Sequence, residues 1–64
     1  MNDFATLADE VASLERRVSD AIFETVRAQL RHDDDDAKEL ERRLSKVRRS
    51  LQKAEYLLRQ ESVD

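Results

Sequence analysis

Large apolar residues recur along the first half of the chain at Phe4, Leu7, Val11, Leu14, Val18, Ile22, Val26 and Leu30. The steps are three or four throughout, which keeps them all on one face of an α-helix. The second half repeats the rhythm with Ala37, Leu40, Leu44, Val47, Leu51, Ala54 and Leu58, a strict heptad alternation. Between the two stripes stands His32-Asp33-Asp34-Asp35-Asp36, the one stretch that interrupts the pattern. The pattern predicts two helices, over about 3–31 and 36–61, with a turn at 32–36.

The stripes are near mirror images about residue 33. Folding the chain back there sets Leu30 against Ala37, Val26 against Leu40, Ile22 against Leu44, Val18 against Val47, Leu14 against Leu51 and Leu7 against Leu58. Every layer finds an apolar partner. The same fold brings Glu24 toward Arg43 and Glu15 toward Arg48, whereas a parallel pairing of two chains would oppose like charges. The expected architecture is therefore all-α: one antiparallel, coiled-coil-like two-helix hairpin spanning 1–64. Asp36 followed by Glu39 has the spacing of a capping box, and the aspartate run suits the positive end of the second helix.

Composition strengthens this reading. The 64 residues include no glycine and no proline, the usual residues of turns and helix ends. Hydrophobic residues make up 39% and charged residues 42%, as in long solvated helices with one apolar stripe. Without cysteine there are no disulfides or thiolate metal sites. No apolar run is long enough to span a membrane, and the N-terminus lacks the basic and apolar regions of an export signal, so a cytoplasmic location is expected. Net charge is −3 but unevenly spread. Residues 1–32 carry six acids and four bases, Asp33–Asp36 add four acids, and residues 37–64 carry eight bases and five acids.

Two helices shield only part of each other's stripe, and a core this small seldom supplies more than about 3–5 kcal/mol. The hairpin should therefore be completed by another helical protein or by a second copy of itself. Phe23, just beside the main stripe, and Leu57 and Leu58 at the far end are candidate anchors for such a partner. Ala5, Ala8 and Ala12 form a thin second stripe that would let another helix come close.

Other chemistry finds little support. One histidine, no cysteine and no glycine loop leave no nucleophile–base pair to hold, so no enzymatic activity and no cofactor are expected. His32 with its aspartates lacks the alternating ligand spacing and the glycine of a calcium loop, so no metal site is expected. Arg42, Lys46, Arg49 and Lys53 make a basic stripe opposite the leucines, continued by Tyr56. Glu39 and Glu41 stand beside it, as on an ordinary solvated helix face, and the acidic whole argues against nucleic acid.

The stretches Asp35-Asp36-Ala37-Lys38-Glu39-Leu40 and Ala54-Glu55-Tyr56-Leu57-Leu58 resemble the turn and the apolar end of the second helix in the small co-chaperones of type III secretion needle subunits, the YscE-like family. That resemblance implies a cytoplasmic complex with a helical-repeat chaperone, which together hold the needle subunit unpolymerised. The alternative is a Rop-like hairpin, which dimerises into a four-helix bundle and binds RNA or DNA.

Overall fold

The computed structural model describes residues 3–32 and 35–61, and among them the chain is two α-helices packed as a hairpin. Helix α1 spans Phe4–His32 and α2 spans Asp35–Glu61. The molecule is a narrow rod, 49 Å long and 14 Å across at its Cα atoms. Neither helix is long and apolar enough to cross a membrane. Of the expected turn, His32 ends α1 and Asp35 opens α2, while Asp33 and Asp34 lie outside the described residues.

Asp3 starts α1. Its Oδ1 accepts from the Thr6 backbone N–H at 3.0 Å and its Oδ2 from the Thr6 hydroxyl at 2.6 Å, satisfying a donor that the first helical turn leaves free. The Thr6 hydroxyl bond, chiefly, holds the Asp3 carboxyl below its ordinary value. At the second helix the expected cap shifts. Since α2 opens at Asp35, Asp36 lies inside the first turn, where Asp35 and Asp36 both face the positive end of the helix dipole. Lys38 reaches back to Asp35 at 4.0 Å.

The register follows the mirror about residue 33. Gln29 donates to the Ala37 carbonyl at 3.4 Å near the turn, and Arg59 meets Asp9 at 3.2 Å near the open end. The seam between the helices is narrower than the sequence pattern suggests. Its most enclosed residues are small: Ala8, wholly buried, with Ala37 and Thr25. Small side chains allow helix axes to approach closely. Thr25 is accommodated by turning its hydroxyl onto the Ala21 carbonyl of the preceding turn at 2.8 Å. Val11, Val18, Ile22, Leu44, Leu51 and Leu58 flank the seam half-buried.

The burial pattern shows each helix rotated relative to the simple stripe-on-stripe picture. Leu14 and Leu51 were expected to meet in the middle layer, yet Leu14 stays 43% exposed while Leu51 is half-buried. The expected pair of Glu24 with Arg43 is replaced as well, and Glu15 faces Glu55 where Arg48 was expected. Glu24 pairs with Arg27 at 3.3 Å and Arg43 with Glu39 at 3.4 Å, each within one helix. Residues three or four apart on a helix are surface neighbours, so these charges pair locally.

Candidate interaction face

The rotation gives the hairpin two unlike long edges. Along one edge, the in-phase row Ala8, Glu15, Ile22 and Gln29 of α1 meets the row Glu41, Arg48 and Glu55 of α2. The polar contacts from Gln29 and Arg59 across the hairpin lie here. Gln29 donates to Glu41 Oε1 at 2.7 Å as well as to the Ala37 carbonyl. Arg59 bridges Asp9 of α1 and Glu55 of its own helix, the latter at 2.7 Å.

Within this polar edge Glu15 lies against Glu55. Glu15 Oε2 is enclosed and has no donor from the protein, and Arg48 Nε is likewise enclosed without an acceptor. When one of the two carboxyls is protonated, its proton would supply the missing donor. The hydrogen bond to Glu55, then desolvation, then the Glu55 charge push the Glu15 carboxyl above its ordinary value. The same hydrogen bond, then Arg59, hold Glu55 below its own. The sign follows. A raised Glu15 favours folding below the unfolded-state carboxylate pKa, and that contribution is lost as pH rises through the folded value. Glu55, being lowered, contributes above the unfolded value and loses its contribution as pH falls through the folded one. Glu15→Gln keeps a donor toward Glu55 without a second charge. It should raise the melting temperature at pH 7 and leave it nearly unchanged at pH 4, as thermal melts followed by circular dichroism would read. Equal shifts at both pH values would rule out the shared proton.

The opposite edge is apolar. Leu7 and Leu14 project from α1, and Leu40, Val47 and Leu57 from α2, each between 43% and 49% exposed. Beside the turn this edge forms a shallow groove lined by Glu24, Thr25, Ala28, Asp36, Ala37 and Leu40. Together the five large side chains leave on the order of 400 Å² of apolar surface open, as much as the largest patches on typical whole monomers. For two helices this is a disproportionate share. Leu30 and Phe23, 84% and 64% exposed, are more open but lie on the other flank and number only two.

The structure distributes the sequence-predicted contact residues unevenly. Leu57 lies on the apolar edge, 48% exposed, while Leu58 beside it is turned half inward. Phe23 is 64% exposed but in phase with Asp9 and Arg16, which puts it with Leu30 on the polar flank, away from Leu57. There the Arg27 guanidinium covers its ring, 5.5 Å from the centroid, a cation–π contact that supports an exposed Phe. Ala5 is exposed. Ala8 is wholly buried and Ala12 half-buried, so the helix admitted by the thin stripe is α2 itself. Leu7, Leu14, Leu40 and Val47 had been assigned to the core. Their role at the surface was hidden because the stripe is wider than the seam that covers it.

The basic stripe stays outside. Arg42, Lys46 and Arg49 line a shallow groove with Gln29, Lys38, Glu41 and Ser45, and Arg42 pairs with Glu39 at 3.4 Å. Tyr56 accepts from Gln60 at 2.9 Å. Among the described residues no group of three or more His, Cys, Asp or Glu is placed to hold a metal ion. No family model, curated protein or solved structure matches this chain.

Proposed function

We propose that the protein is a non-enzymatic interaction module that completes its apolar edge with the helices of another polypeptide. The observation that carries this reading is the row Leu7, Leu14, Leu40, Val47 and Leu57, half-exposed together on one edge of the hairpin. Water contact along such a row is removed most simply by helices laid parallel to it. A cytoplasmic co-chaperone holding a type III secretion needle subunit is the particular role that the resemblance at residues 35–40 and 54–58 suggests. An RNA- or DNA-binding bundle is less well supported, because Glu39 and Glu41 interrupt the basic stripe and the chain as a whole is acidic.

The test is co-purification of tagged protein with a needle subunit and its helical-repeat chaperone. Leu14→Glu and Val47→Glu should each weaken the complex at least a hundredfold, since a buried unpaired charge at an interface centre costs several kcal/mol. Leu30→Glu, on the polar flank, should leave it intact. Unchanged binding by Leu14→Glu and Val47→Glu would remove the apolar edge from the function.

A further inference from the structure

We infer that the apolar edge of the isolated protein is closed by a second copy of the chain, related by a twofold axis along the rod so that both turns lie at the same end. The inference rests on the reading above and names the polypeptide that covers the face.

Two observations favour this occupant. The first is size. A side 49 Å long and 14 Å across at its Cα atoms has a projected area of about 700 Å² before side chains are added, room enough for the roughly 800 Å² of accessible surface that each partner buries in a standard stable interface. Such a twofold closes the assembly and buries the same patch on both copies.

The second is charge and shape along the rims. In this arrangement α1 of one copy lies antiparallel to α2 of the other, at the same register as within the hairpin. Glu24 then stands level with Arg43 of the second copy, and Arg31 with Asp35 and Asp36 of the second copy. Glu10, unpaired among the described residues, lies one turn from Lys53 of the second copy. Arg17 falls opposite the neutral Ser50 of the second copy. Sizes match too. Leu14 reaches Ser50 and Ala54 of the second copy, while Leu40 and Val47 of that copy reach Ala28 and Ala21. The other face-to-face twofold, with turns at opposite ends, sets α2 against its own copy and puts Arg43 level with Lys53 twice over. Like charges directly opposed disfavour it.

A heterologous partner would then reach the face only by displacing the copy. Dimer loss on complex formation is therefore expected.

Sedimentation equilibrium of the full chain should give twice the monomer mass at about 100 µM, within the range where micromolar association is readily seen. The chain has no cysteine, so Gln60→Cys carries a single spin label. Paired turns place the two labels at the same level, less than about 30 Å apart, whereas opposed turns offset them by about 36 Å along the axis alone at 1.5 Å per residue. Arg43→Glu should weaken the dimer about tenfold, and adding Glu24→Arg should restore most of the loss, a coupling that helix-local effects do not produce. A monomer at that concentration, a label separation beyond about 36 Å, or no rescue by the second substitution would each overturn the inference. A monomer that still binds a partner through Leu14 and Val47 would leave the interaction-module reading standing.

Discussion

Leu51→Ala is expected to cost the isolated hairpin about 2–4 kcal/mol, the usual range for truncating a packed leucine that neighbours cannot fully replace. Against the roughly 3–5 kcal/mol that a core this small supplies, such a loss should leave a large fraction of molecules without helicity at room temperature. Leu51 flanks the seam half-buried, close to the middle of α2. Leu14, its expected partner, is 43% exposed, and Leu14→Ala should cost about 1 kcal/mol in the monomer because much less area returns to water. Urea titrations followed by circular dichroism, at concentrations below association, compare the two directly. Equal losses would mean that the helices meet stripe on stripe after all.

Ala8→Leu should be the more telling substitution. Ala8 has no exposed surface, and the seam around it is closed by the approach of α2. Leucine is nearly as good a helix former as alanine, so any loss reports on space and not on propensity. Forcing a leucine into a filled site costs about 1–3 kcal/mol, and more where backbones must separate. Ala5→Leu, less than one turn away and exposed, is the control and should be close to neutral. A stable Ala8→Leu hairpin would show that the seam yields.

The sequence made the helices and their antiparallel pairing legible because both depend on periodicity and on the mirror of apolar positions about residue 33. Helix phase was not legible in the same way. A stripe as broad as Phe4–Leu30 tells which side of α1 is apolar, but not which of its two margins meets α2. Small residues decide that. Ala8, Thr25 and Ala37 permit the close approach, and the larger Leu7, Leu14, Leu40 and Val47 are left outside it. The role of Glu15 was obscured for a related reason, since a glutamate flanking an apolar stripe is ordinarily solvated and paired with a base. Its meeting with Glu55 follows only once the rotation is known. Phe23 was noticed as an outlier, but the neighbour that explains it, Arg27, stands four residues on and belongs to an ordinary exposed face.

The placement of Gln29, Glu41, Asp9 and Arg59 along a single edge has a mechanical consequence. The rod is bound like a book, with its spine on the polar side and its fore-edge on the leucine side. Opening by a few degrees about that spine would keep the named cross-helix pairs while widening the leucine-side edge, including the groove between Ala28 and Leu40. The molecule could thus accept ridges of different breadth at little cost, adjusting its grip by hinge angle and leaving its side-chain chemistry unchanged.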